Sequence, residues 1–298
     1  AIGLSAFWSG IWSGVNYAAS FVIVMLLHWT VATKQPAMTA PAMAAKLKDL
    51  GRRDAVEEFV DEVTHLVRSQ VAAVAGNVGM VTPCVLLISY AIYLASGHPM
   101  IGRAEADYVF HSLSLLSPST LLFAAFTGVL LFASSLIAGW VENWFVLHRL
   151  DSAMRYNPRI TRFLGVQRAD RWARFMREHI SGFASNISLG FMLGLVPPVL
   201  AFIGIGLQAR HVTLSTGQLA AAAASYGLDV LHLPQFWWCV AAIPLIGVLN
   251  LTVSFYFAFQ LALRAHNVSG VDRKRIYSAI RARLRRRPGS FFVPSRQA

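Results

Sequence analysis

The side chains whose type and setting could do chemistry here are polar groups in oily surroundings. Asn16, His28, Asn77, Asn186, Asn250 and Gln260 each stand in a long run without Asp, Glu, Lys or Arg. Polar residues in such runs either hydrogen-bond one helix to another or line a route for a substrate or ion. Asn16, Asn77, Asn186 and Asn250 form the candidate intramembrane polar site, and Pro83, Pro197 and Pro198 suggest interrupted helices beside it. Conventional catalytic signatures are missing: there is no Walker lysine, dinucleotide glycine fingerprint, HExxH or G-x-S-x-G elbow. The nine histidines are scattered, and Cys84 and Cys239 sit in apolar runs where a thiol behaves as a small hydrophobe. The sequence therefore nominates no catalytic residue, no metal ligands and no cofactor.

The elements that must position these groups follow from composition. Hydrophobic residues make up 56% of the 298-residue chain and charged residues 13%, against roughly 25% charged in soluble domains. A soluble enzyme, a disordered chain and a secreted disulfide scaffold are poor readings of that balance. A membrane crossing needs about 20 mostly apolar residues, because lipid cannot hydrogen-bond an unpaired backbone group. Five segments meet the requirement, approximately Phe7–Ala32, Val71–Ser96, Thr120–Trp140, Ile180–Leu207 and Phe236–Leu263, and all five lack charged residues.

Charge between the spans sets the orientation. Six Lys and Arg fall in residues 33–70, eight in 141–179 and ten in 264–298, whereas the loops 97–119 and 208–235 hold one each, Arg103 and Arg210. The positive-inside rule places the three basic segments in the cytoplasm, so the amino end lies outside and the carboxyl end inside. Trp8, Trp12, Trp29, Trp140, Trp144, Trp237 and Trp238 fall near span ends, the level that indole favours.

Three cytoplasmic stretches show helical periodicity. Val56, Phe59, Val60, Val63, Leu66 and Val67 form an apolar stripe over 54–70, with Asp54 and Glu57 as a capping box, and this helix runs directly into the second span. Residues 159–179 repeat the design, with Arg168, Arg171, Arg174 and Arg177 along one side. In the tail, Ile276, Ile280 and Leu284 are flanked by Arg281, Arg283, Arg285, Arg286 and Arg287, and Pro288 and Gly289 end the helix. A basic amphipathic helix beside a span fits an anionic bilayer surface; a protein partner is an alternative, and nucleic-acid phosphates, which would use the same charges, are the less favoured one. On the outer side, Ser215 with Gln218 resembles a capping box opening a helix through Ala220–Ala224 that closes at Gly227. It is too short to span and is expected to lie flat as a loop helix, the alternative being an element packed into the bundle.

The sequence also repeats itself. Arg68 and Arg177 each precede an asparagine, Asn77 and Asn186, by nine residues, and prolines follow both; Gly128 with Ser134 and Gly247 with Ser254 echo each other in the returning spans. The period is about 110 residues, the separation of Asn77 from Asn186. This predicts an all-α polytopic transmembrane bundle of repeated helical hairpins: a bundle over 1–263, with units at about 33–150 and 151–263 after a half unit at 1–32, and a basic cytoplasmic tail over 264–298. The chain opens in apolar sequence without an initiator Met, so it reads as the carboxyl-terminal piece of a longer protein; if the upstream residues are cytoplasmic, an odd number of crossings precedes residue 1.

The runs VATKQPAMTAPAMAAKL (31–47), SSLIAGWVENWFVLHRL (134–150), SNISLGFMLG (185–194) and RHVTLSTGQLA (210–220) resemble the carboxyl-terminal membrane region of the bacterial proteins named site-specific recombinase, Gcr type. The resemblance covers nearly the whole chain. It implies a missing, mainly soluble amino-terminal region as partner and, by name, DNA rearrangement, but it carries no catalytic motif over to these residues. His65 and Arg68 make an H-x-x-R as in tyrosine recombinases, on a helix entering a span where it reads as incidental. Tyr156 and Tyr277 lie near arginines and read as interfacial anchors. The expected role is non-enzymatic, a membrane scaffold or transport path that includes a homo-oligomer among its forms; a membrane-tethered recombination protein is the alternative.

Overall fold

In a computed structural model of the chain, residues 5–29, 55–265 and 270–292 are described, and among them every regular element is helical. Ten α-helices follow in order: α1 (Ala6–Leu26), α2 (Ala55–Ser96), α3 (Arg103–Leu113), α4 (Pro118–Leu147), α5 (Leu150–Tyr156), α6 (Pro158–Leu164), α7 (Val166–Phe202), α8 (Val212–Tyr226), α9 (Pro234–Ala265) and α10 (Gly270–Arg286). Short 3-10 turns occupy Gly227–His232 and Pro288–Phe291. Helices α1, α2, α4, α7 and α9 are long and apolar enough to cross a membrane; α2, α4 and α9 contain the segments predicted for them, and α1 and α7 hold most of theirs.

Several boundaries differ from expectation, each for a local reason. The first span ends at Leu26, where His28 takes a positive φ of 58° and turns the chain. The fourth ends at Phe202, ahead of a turn through Gly204. Residues 159–179 do not form one helix: Gly165 adopts φ 79°, ψ 154°, a conformation open to glycine, and separates α6 from α7. By contrast α2 is continuous for 42 residues, about 63 Å, and carries the amphipathic stripe straight into the apolar run. The prolines do not break their helices, since α2 continues past Pro83, α7 past Pro197 and Pro198, and α9 past Pro244. The Asp54 half of the proposed capping box lies outside the described residues.

The helices group into two units. The first comprises residues 1–30 and 130–207, the second 31–129 and 208–298, so α4 contributes to both and the division crosses the boundaries of the sequence units. In the first unit α1 lies along α7 through small residues: Gly10, Gly14 and Ala18 face Gly190 and Gly194. Without a solvent-driven gain in lipid, close backbone approach is what makes such a helix pair stable. Helices α5 and α6 pack on the start of α7, where Asp170 pairs with Arg155 and Arg174 at 2.8 Å and Asp151 with Arg177 at 3.6 Å.

In the second unit α8 is the central element, packed against α2, α3 and α9. Val212, Ser215, Thr216, Leu219, Ala220, Ala221 and Ala222 are all buried. The expectation of a loop helix lying flat is therefore corrected: α8 is inside its unit. Alanine side chains are short enough for three neighbours to close around the helix, and Phe110, Leu113, Ile243 and Ile246 complete the core around it. The helix also begins at Val212, earlier than the Ser215–Gln218 signal suggested, and ends as expected at Gly227. Apolar side chains elsewhere face outward, among them Leu87, Leu94 and Phe202, and the most apolar stretch of α2 buries no residue. The seven span-end tryptophans are all exposed.

Candidate functional site

An interior helix start poses a problem, because its first N–H groups have no partner within the helix. The second unit solves it with side chains from its neighbours. Asn250 of α9, fully buried, accepts through Oδ1 from the Val212 N–H at 3.1 Å. Its Nδ2 donates to the carbonyls of Arg210 at 3.0 Å and Ala124 at 2.9 Å. Thr127 of α4 accepts from the Arg210 N–H at 2.7 Å while donating to the carbonyl of Phe123. One asparagine and one threonine thus tie α4, α9 and the entry to α8 into a polar knot.

Arg210 lies inside this knot with only 8% of its surface exposed, although in the sequence it counts as an outer-loop charge. Neutral dipoles hold it: Nη2 donates to Gln208 Oε1 at 2.7 Å and to the Ser112 carbonyl at 3.3 Å, and Nη1 to the Ala209 carbonyl at 3.2 Å. Its guanidinium carbon sits 5.6 Å from the centroid of the Phe123 ring. Burial lowers its pKa from the ordinary arginine value. The only sequence signal for Arg210 is that it is one of two basic residues in the loops 97–119 and 208–235, and that pattern gives no depth.

Burial also pushes the neighbouring His211 imidazole down to about 4, so it is neutral near pH 7. The unfolded chain takes up this proton near pH 6.5, the folded one only near 4, so stability is lost as pH falls through that window. We expect about 3 kcal/mol to disappear between pH 7 and 4 on this account. Thermal unfolding in detergent across that range checks it: a His211→Gln variant should show a flatter profile, and an identical profile would exclude His211 as the source.

Next to the knot, α2, α8 and α9 line a cleft of about 1110 Å³. Its walls are almost wholly apolar, including Val74, Val78, Ala224, Val240 and Ile243, with Gln70, Thr82 and Thr216 as the side chains bearing polar atoms. The carboxyl-terminal 3-10 turn reaches one end. There Phe292 lines the cleft, Phe291 is buried, and Arg68 donates from Nη2 and Nε to the Ser290 carbonyl at 2.7 and 3.2 Å.

The other sequence-nominated residues are dispersed. Asn77 donates to the Ala73 carbonyl of its own helix at 2.8 Å and lies 3.5 Å from the hydroxyl of Thr213. Asn186, buried in the first unit, donates to the Gly182 carbonyl of α7 at 2.9 Å. Asn16 is exposed on α1. Of the basic set, Arg168, Arg171 and Arg174 are exposed on α7, Arg174 paired with Asp170. Arg281, Arg285, Arg286 and Arg287 are exposed on or just after α10, and Arg283 pairs with Asp61 of α2 at 2.7 Å.

The family model described as Site-specific recombinase matches residues 1–294. The chain belongs to that family. No curated protein and no solved structure matches it. Within this site-specific recombinase family chain, the H-x-x-R arginine, Arg68, is half-buried and donates to the tail carbonyl of Ser290. Tyr156 is 73% exposed on α5, and the Tyr277 hydroxyl accepts from Gln260 Nε2.

Proposed function

We propose that this site-specific recombinase family chain, of the Gcr type, is an integral inner-membrane protein with a non-enzymatic role: a scaffold held by five crossings, amino end outside and carboxyl end cytoplasmic. The observation that carries the reading is the set of five long apolar helices with large side chains turned outward. A scaffold is favoured over a transport path because Asn77, Asn186 and Asn250 all hydrogen-bond to backbone groups. The twice-occurring order of long, short and long helix supports a duplicated unit. On this reading the exposed arginines of α7 and α10 meet anionic headgroups, each contributing about 1 kcal/mol.

Family membership favours a second reading, a membrane-tethered DNA recombination protein. Duplex DNA binding in the presence of anionic liposomes separates the two. The scaffold reading expects DNA to be displaced by liposomes and by rising salt, with no covalent adduct on supercoiled plasmid. A duplex complex that survives excess liposomes, or an adduct through a serine or tyrosine, would overturn it. Tags after residues 98 and 205, both exposed loop positions, are expected on the side opposite the tail.

A further inference from the structure

The cleft of the second unit has one apolar length and one charged end, and that asymmetry points to its occupant. Its α2 wall runs from Gln70 to Leu86, about 24 Å at the helical rise, which fits within a hydrocarbon core of about 30 Å. The end at Gln70 and Phe292 is the basic one: Arg68 stands two residues before Gln70, and the exposed Arg285, Arg286 and Arg287 precede the turn that carries Phe292. Glu57, Glu58, Asp61 and Glu62 at the start of α2 offset part of this charge, Asp61 through its pair with Arg283.

Size bears on what could fill the space. A helix is a rigid rod about 10 Å across and needs a straight bed of that width along its whole length. Flexible hydrocarbon adapts to the cleft's volume, and the polar atoms of the lining are few.

We infer that the cleft between α2, α8 and α9 binds an anionic phospholipid, with acyl chain in the apolar length and phosphate beside Arg285, Arg286 and Arg287. The inference rests on the membrane reading above and names that scaffold's lipid partner. Apolar burial supplies the affinity, and the arginines supply selectivity for charge over a zwitterionic headgroup.

Native mass spectrometry of the full chain in mild detergent tests this, with phosphatidylglycerol and phosphatidylcholine of matched chains as probes. Gly79 lines the cleft, and a Cβ there would meet nothing within 4 Å, so Gly79→Phe fills the space without striking backbone. Gly76 is equally open on the same helix but does not line the cleft, so Gly76→Phe is the control. Wild type and Gly76→Phe are expected to retain one phosphatidylglycerol with about tenfold preference over phosphatidylcholine, two interfacial charges being ample for that margin. Gly79→Phe should lower retention at least tenfold, and Ala224→Leu supplies the same obstruction from α8 if the first variant does not fold. Replacing Arg285, Arg286 and Arg287 together with glutamine should erase the preference and leave phosphatidylcholine retention unchanged. Unaltered retention in both filled variants, equal retention of the two lipids by wild type, or a protein segment occupying the cleft would overturn the inference. Each of those failures leaves the membrane reading standing, whereas monodisperse protein without detergent would remove that reading itself.

Discussion

Replacing Asn250 with alanine is expected to lower the stability of the folded chain by about 3 kcal/mol, the cost of a buried donor left without a partner plus a small cavity. The Val212 N–H has no intrahelical acceptor because it opens α8, and Asn250 Oδ1 is the partner the structure provides. Two carbonyls, of Ala124 and Arg210, lose a donor at the same time. Carbonyls tolerate this better than N–H groups, so the estimate stays below the sum of three separate bonds. Thermal unfolding in detergent should fall by several degrees for Asn250→Ala. Asn16→Ala, on an exposed face, should stay within about 0.5 kcal/mol of the parent. Equal midpoints for the two variants would mean that the knot does not hold α8 in place.

A comparably large loss is expected at the α1–α7 contact. A Cβ built on Gly190 would collide with the backbone N of Ala18 and come within 2.6 Å of its Cα. One built on Gly194 would strike the backbone of Gly14 and lie 2.6 Å from the Gly10 carbonyl oxygen. Backbone atoms have no rotamer to change, so the two helices must separate along their length. Overpacking a well-fitted contact ordinarily costs about 1–3 kcal/mol, and Gly190→Leu should reach or exceed the upper end because neither partner can yield. The readout is again the unfolding midpoint. Gly139→Leu serves as comparison, since that glycine meets nothing within 4 Å. A Gly190 variant as stable as the Gly139 variant would exclude close backbone packing as the basis of this helix pair.

Much of the architecture is legible in the amino-acid sequence alone. An unpaired charge inside lipid is costly enough that long uncharged apolar runs mark helices almost regardless of context, which is why each of the five expected segments corresponds to a long helix, two of them ending earlier than expected. The continuity of α2 from its amphipathic start into its span was readable for the same reason, as was the stop at Gly227. Each of these features depends on residues near one another along the chain.

The polar knot was hidden because its logic is long-range. Nothing local distinguishes Arg210, one of two sparse loop cations, from an exposed one; its depth follows from Thr127, 83 positions away, and Asn250, 40 away. Nor does an alanine run reveal whether it lies on a surface or inside, since small side chains suit both. Local composition and periodicity were therefore sufficient for which segments are oily and broadly which are helical, though not for the break at Gly165 or the ends of the first and fourth spans. Which faces meet, where α8 sits, and that Asn250 clamps backbone while α2, α8 and α9 leave a cleft open all depended on non-local packing, because burial is a property of the neighbours and not of the residue.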